Sequence, residues 1–361
     1  MRTTAADVLD AHNYILPAHL LLLKVCHRAA VRLASLPPIH PLHPLVQHVA
    51  RRLIKCHKSL LHCLLHSTAI SANSLETILP ARRHPSYCPV FSRHIDVSKD
   101  DATVYAGYLA TKEVTVFSDG SCINGSVGMA ASLWIKGRRK KTITYHLGHE
   151  NEHTIFEAEL VGVILALHLL RCRKARTADA YIGLDNQAVI HALGDQKPKL
   201  GHYLLDKIHD LAKDFQIVEA RKQGEGPAGL RLGEGVKLNP NRRFSWHKVK
   251  IKRTSRLTIT WVPGHVGIEG NETVDAEAKK VAEGHSSELN KLPPFLCRKL
   301  LPTSVSANKQ AYLGGLKNTW TNKWRQSTRG LKLLRIDRSI PSRKFLNLTA
   351  SLKRNQTSLL I

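Results

Sequence analysis

Along the chain the apolar positions change period, and the changes divide it into three zones. In residues 7–36, Leu20, Leu23 and Leu33 recur at helical spacing with alanines between them, and Pro17 stands where it would kink or split the helix. Pro37, Pro38, Pro41 and Pro44 end that pattern. A second helical stretch covers residues 46–72, and a loop punctuated by Pro80, Pro85 and Pro89 follows. This first zone, residues 1–105, is rich in Leu and His and carries no catalytic motif.

The middle zone, residues 106–286, switches to strand period. Residues 114–117 form a short β-rich run that leads into Asp119, with a turn read at Gly120 and Ser121. Residues 129–135 and 141–147 predict two more strands, separated by a turn around Gly137. Residues 153–170 are helical, with Phe156, Leu160, Val163, Ile164 and Leu167 on one stripe. A fourth strand is expected at 180–184 and a fifth at 257–262, with helical patterns at 187–193 and 203–215 between them. A last helix covers 272–282. Three strands, a helix, a strand, helices, a strand and a helix predict an α/β layer fold whose mixed five-stranded sheet is flanked by helices. The third zone, 287–361, is a basic extension: from residue 290 onward fifteen Lys and Arg face the single acid Asp337, with Trp320, Trp324, Phe345 and leucines interspersed.

Composition sharpens this picture. The 361 residues are 43% apolar, enough for a core. The charge is lopsided, with 54 Lys and Arg against 28 Asp and Glu for a net +26, which points to a polyanionic partner, most commonly nucleic acid. A membrane is the competitor, but the longest apolar runs, at 20–23 and 59–69, fall far short of the ~20 residues a span needs. Residues 3–10 are polar and acidic where a signal peptide would turn apolar, so an intracellular, unsecreted protein without a membrane partner is expected. Seven scattered cysteines argue against a disulfide framework. Cys56, His57, Cys63 and His66 lack the paired spacing of a zinc module and read as side chains of a Leu-rich helix.

The middle zone also holds acids placed for chemistry. Hydrolysing a phosphodiester calls for an activated water and a stabilised leaving oxygen, which a pair of divalent ions supplies. Hard cations need oxygen ligands, hence several carboxylates at one spot. Asp119 follows the first strand, Asp185 ends the fourth, Asp275 lies on the last helix, and the first helix offers Glu157 or Glu159. Each has a plainer reading: Asp119 as a turn residue, Asp185 as a helix cap, Asp275 as a surface acid paired with Lys279.

Four stretches, in order, resemble the ribonuclease H family. They are Val116-Phe117-Ser118-Asp119-Gly120-Ser121-Cys122, Glu157-Ala158-Glu159-Leu160, Gly183-Leu184-Asp185-Asn186, and Trp261-Val262-Pro263-Gly264-His265 running into Gly270-Asn271-Glu272-Thr273-Val274-Asp275. The resemblance implies Asp119, Glu159, Asp185 and Asp275 as ligands of a metal pair, Mg²⁺ or Mn²⁺, and His265 as the loop residue assisting turnover. It favours Glu159 over Glu157 because the family's ligand immediately precedes the Leu, which leaves Glu157 as a solvated surface charge. It implies endonucleolytic cleavage of the RNA strand of an RNA–DNA hybrid, with Gly120, Ser121, Asn124 and Asn186 contacting the RNA backbone and its 2′-hydroxyls. Residues 221–256, with eleven Lys and Arg and two Glu, read either as a surface loop or as a basic arm gripping DNA phosphates.

The flanks are similar to those in fungal non-LTR retrotransposon polyproteins, on Leu16-Pro17-Ala18-His19, Leu36-Pro37-Pro38-Ile39-His40-Pro41-Leu42 and the basic stretch from Leu301 through Pro341-Ser342-Arg343-Lys344-Phe345. Residues 1–105 would then be the helical linker that follows a reverse transcriptase. The alternative is a decayed domain that binds nucleic acid without cutting; another nuclease or integrase on the same fold is disfavoured by the stretch Gly264-His265-Val266-Gly267-Ile268-Glu269-Gly270-Asn271-Glu272 before Asp275.

Overall fold

The computed structural model describes residues 5–356 apart from 52–55, 57, 81, 82, 85, 174–178, 196, 198, 199, 223–255, 285, 299, 336, 351, 354 and 355. In chain order the first elements are α1 (Ala6–His12), α2 (Ala18–Ala34), α3 (His43–Arg51), α4 (Leu60–Ser67), β1 (Ser92–His94), α5 (Lys99–Ala110), β2 (Val114–Ile123), β3 (Ser126–Ile135) and β4 (Arg138–His149). Then come α6 (Ile155–Cys172), β5 (Asp179–Leu184), α7 (Gln187–Ala192), α8 (His202–Lys222), β6 (Arg256–Trp261), α9 (Glu269–Ala282), α10 (Pro294–Cys297), α11 (Val305–Gln326), α12 (Thr328–Leu333) and α13 (Lys344–Thr349). Two compact units emerge, one from Met1–Leu75 with Asn308–Ile361, the other from Glu76–Ala307. Among the described residues no helix is long and apolar enough to cross a membrane.

The first unit is helical. Pro17 splits the expected long helix and caps the start of α2, as its missing N–H and fixed φ dictate. Leu16 and Leu20 pack with Leu316, Trp320, Trp324 and Ile340, so the two ends of the chain share one small core. His27 stacks on Tyr312 with ring centroids 3.8 Å apart.

The second unit is a six-stranded sheet in the order β1-β6-β5-β2-β3-β4. β2, β3 and β4 are antiparallel neighbours, while β5 runs parallel to β2 and β6 parallel to β5. All five expected strands form. The sixth, β1, pairs parallel with β6 through Arg93↔Ile259 and is too short to show any alternation in the sequence. The arrangement is the ribonuclease H-like one that the resemblance implies. One face of the sheet packs on α6 and α8 through Val116, Met129, Ile143, Ile164 and Leu205 among others. The other face takes α5 and α9, where Phe117 and Trp134 meet Ala106, Leu109, Val274 and Ala278.

α6 is buried without a break from Glu157 to Leu170. A fully buried Leu or Ile contributes about 1.5–3 kcal/mol, so Leu160, Ile164, Leu165 and Leu167 hold this helix firmly against the sheet. α5 has no counterpart among the expected helices, although Ser98 caps it by accepting from the Asp101 N–H. Residue 105, where a boundary was expected, lies inside α5, and Phe91, Leu292 and Leu296 also belong to the core of this unit. Packing around the sheet therefore extends to both sides of 106–286. Except for its ends in α8 and β6, the basic segment 221–256 lies outside the described residues.

Candidate metal centre

The sequence reading ended the first strand before Asp119; the structure carries β2 on to Ile123. Asp119 is paired with Ala130, Gly120 with Met129 and Ser121 with Gly128. The turn comes later, at Asn124 and Gly125, both at positive φ (52° and 78°), the conformation that makes Asn-Gly a two-residue hairpin turn. Asp119 is therefore a rigid, buried strand residue rather than a turn former. Its Oδ1 accepts the Gly120 N–H at 2.8 Å.

Glu159 reaches the same place from α6. A Cβ at position 120 would lie 3.0 Å from the Ala158 Cβ and 3.2 Å from the Glu159 nitrogen, so any larger residue would push the helix a few tenths of an ångström off the strand. Asp185 arrives from the end of β5, and its carbonyl accepts the Trp261 Nε1–H at 3.0 Å. The helix cap in this stretch is the next residue, Asn186, whose Oδ1 accepts the Ala188 N–H at 3.0 Å. One carboxylate oxygen from each of Asp119, Glu159 and Asp185 lies within 4.8 Å of the others.

Such crowding is costly without a cation. Burial, then the charges of Asp185 and Asp275, push the Asp119 carboxyl up to about 7. Burial, then Asp119 and Asp185, raise Glu159 well above the usual carboxylate range. Asp185 is raised too, by burial and by Asp275, with His265 pulling the other way. Glu159 Oε2 is buried and has no hydrogen-bond partner among the described residues. An oxygen-only donor set, mutually repelling and with an unpartnered buried oxygen, suits a hard divalent cation.

Asp275 stands on α9 at the margin of this triad. It falls in a second group, with His265 and Glu272, whose ligand atoms also lie within 4.8 Å of one another. The Lys279 Nζ donates to Asp275 Oδ2 at 2.7 Å, one helical turn on. His265 sits at φ 57° in the loop before α9, its side chain 78% exposed and its Nδ1 4.0 Å from Glu272 Oε2. Glu272 stands three residues before Asp275 on the same helical face, a spacing legible in the sequence.

The structure corrects the reading of Glu157. It is buried rather than solvated. Its Oε2 accepts the Thr154 N–H at 2.9 Å, and its own N–H donates to Thr154 Oγ1 at 3.3 Å, closing a capping box at the start of α6. Burial pushes its carboxyl up to about 7. Of the four residues expected at the RNA, Gly120 and Ser121 lie on β2 beside Asp119, Asn124 is exposed at the hairpin turn, and Asn186 follows Asp185.

No family model and no curated protein matches this chain. Among solved structures, one of LC11-RNase H1 in complex with an RNA/DNA hybrid is similar at 13% identity, covering 47% of this chain and 96% of that one, with a TM-score of 0.31. RNase H1 from the halophilic archaeon Halobacterium salinarum is similar at 15% identity, covering 46% and 97%, with a TM-score of 0.29.

Proposed function

We propose that the chain is a ribonuclease H that hydrolyses the RNA strand of RNA–DNA hybrids with divalent metal held by Asp119, Glu159, Asp185 and Asp275, in a fragment of a retrotransposon polyprotein. The observation that carries this reading is the convergence of two buried carboxylates, from β2 and α6, with the half-buried Asp185 at the end of β5, and Asp275 beside them.

When bound, Mg²⁺ or Mn²⁺ supplies an acidified water and charge stabilisation at the leaving oxygen. The protein's part is to hold its ligands rigid. β2 fixes Asp119, the close β2–α6 contact at Gly120 fixes Glu159, and Trp261 fixes the Asp185 backbone. His265, exposed on its loop, is free to exchange a proton with the departing oxygen and solvent. Gly120, Ser121 and Asn124 line the strand and turn leading away from Asp119, where a ribose 2′-hydroxyl would be met. Asn186 spends its oxygen on the Ala188 N–H, so its amide NH₂ is the group left to face RNA.

The test is cleavage of a labelled hybrid with Mg²⁺ or Mn²⁺, against an EDTA control and matched duplex RNA and duplex DNA. The reading expects metal-dependent cutting of the hybrid's RNA strand alone, abolished by Asp119→Asn or Asp185→Asn while hybrid binding persists. Cutting by Asp119→Asn at the parental rate would sink the ligand assignment. A folded parental chain that binds hybrid but never cuts would make it a binding module.

A further inference from the structure

The net charge of +26 is unevenly shared. The helical unit, residues 1–75 with 308–361, holds twenty Lys and Arg against three acids, Asp7, Asp10 and Asp337. The sheet unit holds 34 against 25, but eleven of those bases and two of the acids fall in 221–256. Without that segment it has 23 of each, no net charge at all. Outside 221–256, then, the sheet unit carries no surplus positive charge.

In the helical unit five bases close in sequence stand in solvent. Lys323 and Arg325 at the end of α11, Lys332 on α12, and Arg335 and Arg338 beyond it are all exposed. None of the five is in an ion pair among the described residues. Asp7 is engaged by Arg329 at 3.0 Å, and Asp337 accepts from Ser339. An anionic lipid surface would ask for large apolar side chains among these bases. Between residues 308 and 344, Leu331 is the one exposed large apolar side chain among those described. Within 323–338, five exposed unpaired bases against that one apolar side chain match a phosphodiester backbone better.

We propose that the helical unit is a second, non-catalytic nucleic-acid-binding surface, which uses Lys323, Arg325, Lys332, Arg335 and Arg338 to hold the sugar–phosphate backbone of duplex nucleic acid without regard to sequence. In adding a grip outside the sheet unit, whose surplus charge is confined to 221–256, the proposal rests on the nuclease reading for its purpose but not for its measurement.

The experiment uses the full chain carrying Asp119→Asn, so that nothing is cut, and follows anisotropy of a labelled hybrid, duplex DNA and vesicles containing phosphatidylserine across salt concentration. A second chain adds Lys323→Gln, Arg325→Gln, Lys332→Gln, Arg335→Gln and Arg338→Gln, and a third exchanges Lys and Arg at the same positions. Each phosphate contact contributes about 0.9 to the slope of log affinity against log salt, so the Gln chain should lose about 2 to 4 of that slope and bind at least about tenfold more weakly. The loss should be equal for hybrid and DNA, and the Lys/Arg exchange should restore it. Unchanged slope and affinity in a folded Gln chain overturns the proposal. So does a parental chain that binds vesicles but no nucleic acid, or one whose nucleic-acid binding ignores salt, which needs no variant to read. Salt-dependent binding together with failure of the Asp119-intact chain to cut leaves this proposal standing and removes the nuclease reading.

Discussion

Replacing Asp119 with Asn should make the metal-free protein more stable while destroying its proposed chemistry. The Asp119 carboxyl is held at about 7 instead of 3.8, chiefly by burial and then by Asp185 and Asp275. A folded-state value above the unfolded one means the fold penalises the ionised form. That penalty is absent below the unfolded value, grows as pH rises, and is complete above the folded value. At ~1.4 kcal/mol per pH unit, the ceiling at pH 8 is about 4 kcal/mol. Asn has nearly the same shape, keeps an oxygen for the Gly120 N–H and carries no charge. The expected gain in EDTA at pH 8 is therefore about 2–4 kcal/mol, or roughly 5–10 °C in Tm for a unit of this size. It should shrink steadily as the pH is lowered toward 4. Calorimetry with and without Mg²⁺ reads both halves. The parental protein should gain stability from Mg²⁺ and the variant should gain little. If Asp119→Asn is less stable than the parent in EDTA at pH 8, or if Mg²⁺ stabilises both equally, the account of a strained carboxylate cluster awaiting a cation is wrong.

Three other outcomes follow from particular contacts. A Cβ at position 270 would lie 2.2 Å from Phe117 Cε2, so Gly270→Ala should cost about 1–3 kcal/mol of stability and weaken metal binding through β2, read by thermal melts in EDTA and in Mg²⁺. Lys279 competes with a cation for Asp275, so Lys279→Met should lower the Mg²⁺ concentration for half-maximal cleavage by about twofold, the scale of a half-exposed ion pair. His209 is pushed down to about 3 by burial and then by Arg83, and its Nε2 donates to the Leu193 carbonyl while Tyr87 Oη donates to Nδ1. A depressed histidine loses stability as pH falls from its unfolded value, here by up to ~1.4 kcal/mol per pH unit between about 6.5 and 3; urea titrations should show a shallower acid slope in His209→Gln than in the parent.

Much of the sheet unit was legible because its elements are long and periodic. The five main strands and α6 carry their burial pattern in the sequence, and the four acids stand at positions such elements can bring together. What escaped was set by neighbours. β2 outruns its apolar run because Ser126–Ile135 pairs with it along its whole length, so Asp119 is a strand residue with polar company. β1 exists only because β6 offers an edge, and three residues cannot announce that. The motif picks out Glu159 over Glu157, but only packing shows that Glu157 is buried and fastens the helix start instead of facing solvent. Nor could periodicity show that Leu16 and Leu20 belong with Trp320 and Trp324, roughly three hundred residues on, since that pairing is a matter of tertiary fit.

That last pairing has a consequence in time rather than space. During synthesis the segment bearing Leu16 and Leu20 emerges early, but the tryptophans that cover them are made only after the whole sheet unit. At about 5–20 residues per second, those leucines wait on the order of fifteen seconds to a minute for their partners. The sheet unit, contiguous from Glu76 to Ala307, has no such delay and is able to close while the ribosome is still working. The nested unit thus matures first, and the outer one is completed only when its second half arrives. A ribosome that stalls before Trp320 would release a formed acidic centre tethered to an unfinished basic unit, with Leu20 still uncovered and open to chaperones or to another chain.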